Sequence, residues 1–179
     1  MRSAARNSPR AWKRRITSCL ALLSIGCGLV LLATPALGAS GTTTANVAVS
    51  SSITLSNLTS SFTLTGVPTA TASQTGAVSM LVTTNNLLGY TVTVEAAGAA
   101  LAGASAGNTD SFPVNLLKVR ETGAAAYTPV SDTAPVTVHT QATPSAGAGD
   151  TLSNDYQVTI PSVRPDTYSV ALNYTATAL

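Results

Sequence analysis

The chain has 179 residues, of which 45% are hydrophobic and only 9% charged, with a formal net charge of +2. Six of its nine basic residues (Arg2, Arg6, Arg10, Lys13, Arg14 and Arg15) stand at the N-terminus with no acid among them; the remainder keeps Lys118, Arg120 and Arg164 against seven acids, a formal charge of −4. A mildly acidic, charge-poor region has no basic patch with which to neutralise phosphates, so nucleic acid is excluded as the expected partner.

The basic start is followed by an apolar stretch over 16–33 and by Pro35, Ala36, Gly38, Ala39 and Ser40. Basic, apolar and small-residue regions in that order predict an export signal over 1–39, cut after Gly38 or Ala39. A permanent anchor, a lipidated Cys27 and a twin-arginine signal at Arg14-Arg15 are the competing readings. Both cysteines, Cys19 and Cys27, lie in this leader. The rest must hold together through its own core without disulfides, and about 140 residues suffice for one such domain.

Residues 40–45 are read as a flexible N-terminus and 46–179 as a single β-sandwich domain. Val47 and Val49, then Ile53 and Leu55, alternate around Ser50-Ser51-Ser52 and predict either one edge strand over 46–55 with a bulge at the serines or two short strands. Leu58 and Phe62-Thr63-Leu64 continue the strand-like pattern until Pro68, which lacks a donor for a ladder. Residues 69–76 read as a polar connection. Val78, Met80 and Val82 then alternate, as do Tyr90, Val92 and Val94, with Asn85, Asn86 and Gly89 between them. This predicts a central antiparallel hairpin.

The Ala- and Gly-rich stretch 96–107 reads as a loop with at most one helical turn. Its three glycines, at 98, 103 and 107, each cost about 1 kcal/mol in a helix, and Leu101 is its one large anchor. Strands are expected over 114–120, at Val136 and Val138, over 154–160 with Tyr156, Val158 and Ile160 on one face, and over 167–175 with Tyr168, Val170, Leu172 and Tyr174 in register. Residues 141–149 have the composition of a flexible loop. The sum is an all-β, antiparallel sandwich of about seven to nine strands.

Two stretches carry a family likeness. Thr84-Asn85-Asn86-Leu87-Leu88-Gly89-Tyr90-Thr91-Val92-Thr93-Val94, and the terminal Ile160-Pro161 through Tyr168-Ser169-Val170-Ala171-Leu172-Asn173-Tyr174-Thr175-Ala176, resemble secreted bacterial surface proteins of the WxL-like type. The texture is also similar to fimbrial and spore-coat adhesin subunits. The resemblance implies an immunoglobulin-like sandwich, extracellular and either secreted or loosely associated with the cell wall. Trp12 lies in the leader, so no Trp-x-Leu segment follows it, and Asp166 stands where such proteins more often have Ala or Gly.

Little in the chain points to chemistry. His139, the one histidine, sits in a polar tract where a solvated loop residue is expected; a Ser–His–Asp triad would need it, with Asp132 or Asp150 as orienter. One histidine without cysteine cannot form a usual zinc site, and no glycine-rich phosphate loop is present. Asp150, Asn154 and Asp155 carry calcium-binding oxygens without a loop spacing to organise them. No cofactor, no metal site and no catalytic residue are therefore expected. Tyr90, Tyr156, Tyr168 and Tyr174 alternate as core residues, which leaves Tyr127 as the candidate ligand contact. The expected function is structural or adhesive and non-catalytic. Its partners are a cell-wall polymer, other surface proteins or further copies through edge strands, and no membrane once the signal is cleaved. The alternatives are a carbohydrate- or peptidoglycan-binding module and a secreted hydrolase dependent on His139.

Overall fold

The computed structural model describes residues 38–179. The expected signal up to residue 37, with its rivals at Cys27 and Arg14-Arg15, lies outside the described residues. Asn46–Leu179 forms one compact unit. It is antiparallel and almost wholly β: β1 (Ile53–Ser56), β2 (Thr71–Thr84), β3 (Tyr90–Ala96), β4 (Ala100–Gly103), β5 (Ser111–Pro113), β6 (Leu117–Glu121), β7 (Thr128–Pro129), β8 (Val136–Gln141), β9 (Asp150–Thr159), β10 (Tyr168–Ser169) and β11 (Leu172–Ala178), with one 3-10 turn at Val114–Leu116.

Two sheets face each other. One has the order β1-β2-β9-β6-β7 and the other β11-β3-β8. β1 lies near β11 and β6 near β8, so the three-stranded sheet covers the middle of the five-stranded one. A small sheet, β10-β4-β5, prolongs the β3–β11 pair beyond Ala96 and Leu172. Alternation sends Met80 and Val82 of β2, Tyr90, Val92 and Val94 of β3, Val119 of β6 and Tyr156 and Val158 of β9 into one shared core. The branched and aromatic side chains that prefer strands also fill the roughly 10 Å between sheets. The Tyr156 and Tyr174 hydroxyls meet at 2.7 Å and tie the two sheets together through the middle of the core.

The expected hairpin is not one. β2 pairs with β1 and β9, whereas β3 pairs with β11 and β8. Residues 85–89 therefore form an arch that carries the chain from one sheet to the other. Gly89 has φ +88°, and a Cβ there would collide with the backbone carbonyl of Gln141. The Asn86 side chain closes the arch onto the Gly89 carbonyl at 3.0 Å and onto the carbonyl of Leu179. The amide chemistry was legible; the partner of each arm was not.

Other boundaries also move. The expected polar connection 69–76 is largely strand: β2 starts at Thr71 and runs 14 residues through a bulge between Gln74 and Val78. The expected loop 96–107 contains β4, whose Leu101 is buried beside Phe112. The strand expected over 114–120 starts with the 3-10 turn and becomes β6 only at Leu117. The expected last strand is divided at Val170-Ala171 into β10 and β11, which pair with different strands. Leu58 is 38% exposed, and the Phe62 segment joins no ladder, although the Phe62 ring stacks 4.5 Å from that of Tyr156 and Leu64 packs on the core.

The expected first strand is reduced to Ile53–Ser56. Residues 46–52 leave the sheet where β2 ends, because Ile53 already pairs with Thr84. The Asn85 amide holds the departing chain at the Ser52 N–H (2.8 Å) and the Ser50 carbonyl (2.9 Å). Beyond that clamp Val47 and Val49 are 86% and 79% exposed.

Candidate functional site on the outer face of the large sheet

β6 alternates strictly. Leu117 and Val119 face the core, so Lys118 and Arg120 share the outward face. Register then builds two rows across the sheet. In one, Lys118 stands between Gln157 of β9 and Pro129 of β7. In the other, Arg120 stands opposite Asp155 of β9, and Tyr127, just before β7, comes to its other side.

The Arg120 guanidinium lies over the Tyr127 ring, 4.4 Å from its centroid, an arrangement worth about 0.5–1 kcal/mol at an exposed site. Its Nε donates to Asp155 Oδ2 at 2.9 Å. The second carboxylate oxygen accepts from Thr122 Oγ1 at 2.6 Å and from the N–H of Gly76 at 2.9 Å. Gly76 adopts φ +60° in the β2 bulge, and that bulge folds its N–H over the acid. Asp155 has no exposed surface although it sits on the outer face. Burial pushes its carboxyl up, but the bonds from Thr122, Gly76 and Arg120 together outweigh burial and hold it below the usual carboxylate range.

The result is an arginine fixed from two sides. Its Nε and one face are engaged, its side chain is 26% exposed, and no acceptor among the described residues takes its two terminal amines. Tyr127, the residue singled out by sequence, is thus half-buried with one face covered by Arg120, not a free-standing ring. Arg120 and Asp155 were missed as a pair because nothing in the sequence states which strand lies beside β6.

His139 is not a solvated loop residue. It lies on β8 with its side chain 15% exposed, Nδ1 2.7 Å from Glu121 Oε1, and its ring 5.4 Å from that of Tyr90. The β3–β8 register shifts between Val92 and Thr93, so Val138 is an extra residue and His139 turns inward beside it. Neither expected orienter is its partner. Asp150 instead accepts from the Tyr90 hydroxyl (2.8 Å), Gln141 Nε2 (3.0 Å) and the Ala146 N–H (3.0 Å), which pins the 142–149 loop to the sandwich. The Ala146 N–H, followed by the bonds from Tyr90 and Gln141, lowers the Asp150 carboxyl against the opposing effect of burial; burial first, then that carboxylate, raises the Tyr90 phenol. His139 Nε2 is buried without a partner, and no hydroxyl among the described residues is bonded to it. The three calcium candidates are separated too, since β9 sends Asn154 and Asp155 to opposite faces.

Among the described residues no group of three or more His, Cys, Asp or Glu is placed to hold a metal ion, and no helix is long and apolar enough to cross a membrane. Comparison with protein-family models finds no match, and comparison with curated proteins finds none.

Proposed function

We propose that the chain is an exported cell-surface protein with a structural and adhesive role, similar to WxL-like surface proteins, and that it works by strand addition between copies. The observation that carries this reading is the segment 46–52. It leaves the sheet beyond the end of β2, is anchored by Asn85, and carries Val47 and Val49 in alternation with almost fully exposed side chains. Exposed alternating valines next to an intact strand are the features of a strand that completes its burial on a partner. β11 is available as a receiving edge: among the described residues its seven residues have β3 as their one ladder partner, with β1 near it but not hydrogen-bonded to it.

The expected sequence is export, removal of the leader, and assembly outside the cell. Sedimentation of residues 40–179 tests it. Concentration-dependent oligomers that collapse to monomers in the double variant Val47→Asp, Val49→Asp support the reading. A monomer at all concentrations, or oligomers untouched by the double variant, contradicts it.

A further inference from the structure

The distribution of positive charge on the large sheet leads to a ligand class. Residues 40–179 contain three basic side chains against seven acids. Two of the three, Lys118 and Arg120, stand two residues apart on one strand and on one face, about 7 Å from each other by strand geometry. Like charges at that distance repel, and an anionic ligand between them relieves the repulsion. Asp155 offsets the charge of Arg120 through a contact at Nε, which leaves the two terminal amines to other acceptors.

The surroundings are polar and flat. Gln157 stands directly across from Lys118, Ser73 lies across from Gln157 on β2, and the half-buried Tyr127 ring lies in the neighbouring row against Arg120. Cations flanked by an amide, a hydroxyl and an aromatic ring fit a sugar chain that carries negative charge. The free fork of Arg120 matches a carboxylate or phosphate oxygen pair, and Lys118 supplies a point charge for a second anion. We infer that the outer face of the five-stranded sheet, centred on Arg120 and Lys118 with Tyr127 and Gln157 beside them, binds an acidic polysaccharide. This surface lies on strands remote in sequence from 46–52 and does not require assembly.

The test is binding of residues 40–179, carrying Val47→Asp and Val49→Asp so that avidity from strand addition does not enter, to three immobilised polymers. Polygalacturonate presents carboxylates, phosphomannan presents phosphates, and dextran is neutral. Retention on either acidic polymer but not on dextran is expected, and which of the two is retained identifies the anion. Raising salt from 50 to 300 mM should weaken it at least several-fold. Lys118, whose side chain makes no hydrogen bond or ion pair among the described residues, can be changed to test this: Lys118→Gln should lower affinity about 3–10-fold and flatten the salt dependence, and Tyr127→Ala should weaken it too, without changing that slope. Equal retention on dextran, retention on none of the three, or Lys118→Gln binding as tightly as the parent would overturn the inference. A circular dichroism spectrum of Lys118→Gln matching the parent keeps the comparison free of misfolding.

Discussion

Asp155→Ala removes the acceptor on which the outer row depends. In the folded protein the carboxylate takes three hydrogen bonds, one of them from a guanidinium, with no exposed surface of its own. Each of the three, first the bonds from Thr122 and Gly76 and then that from the guanidinium, ends on an ionised carboxylate and is worth about 1.5–3 kcal/mol, less the burial cost that the carboxylate no longer bears. Arg120 is 26% exposed, so water recovers part of that last bond. The Gly76 N–H, folded over by the bulge, recovers less. The net expectation is a loss of about 3 kcal/mol, equivalent to a fall of about 10 °C in Tm for a domain of this size. Urea and thermal unfolding of residues 40–179, followed by circular dichroism, measure both quantities. Because the folded carboxyl is held below its unfolded value, its stabilisation is present above about pH 4 and is lost as pH falls through the depressed folded value. The gap between the parent and Asp155→Asn should therefore narrow on acidification below pH 4. A Tm change under about 2 °C for Asp155→Ala, or a gap that widens in acid, would refute the view that this residue fastens β2, β6 and β9 on their outer side.

Three further outcomes follow from the same structure. Tyr174→Phe strands the Tyr156 hydroxyl in the core and should cost about 1–2 kcal/mol, read by denaturant midpoint; a neutral substitution would show that the two sheets do not depend on this bond. Burial pushes the Tyr156 phenol up to about 12 and raises Tyr174 as well. A phenol raised in the folded state stabilises it fully below pH 10 and loses that contribution as pH climbs towards 12. Ultraviolet titration should show the tyrosine absorbance change reaching completion only with unfolding; completion near pH 10 with the fold intact would contradict the burial. Gly89→Ala needs φ +88° and meets the Gln141 carbonyl, so a loss of more than about 3 kcal/mol or failure to fold is expected. A soluble variant with parental Tm would mean that the arch can take another path.

The all-β character was readable because Thr, Val and Tyr at every second position leave one face apolar, and that pattern survives in β2, β3, β6, β9 and β11. The same period concealed the central connection. Alternation reports which face of a strand is buried, and both arms of 78–94 bury theirs in one core; it does not report whether the arms are neighbours in a sheet or opposed across it. Residues 71–76 looked like a connection because Ala72 is their one buried side chain, while their ladder with β9 is made by backbone. β4 was hidden by alanine and glycine, whose composition favours no element, although Leu101 was rightly taken as its anchor. His139 was misplaced by one bulged residue. The Tyr127 environment was half legible: its availability to a ligand could be suspected from the other four tyrosines falling on alternating strand positions, but Arg120 and Asp155 reach it only through the order β9-β6-β7.

Strand addition between copies is the claim on which the functional account stands, and cysteine cross-linking addresses it without indirect readout. Residues 40–179 contain no cysteine, so Val49→Cys and Thr175→Cys, made in separate chains, introduce the only thiols. On mixing with a bis-maleimide of about 10 Å reach, strand addition should yield a dominant covalent heterodimer of the two variants, abolished when Val47→Asp is added to the first. Cross-links no more frequent than those formed by Val49→Cys with a cysteine placed on the remote β4–β5 turn would contradict it.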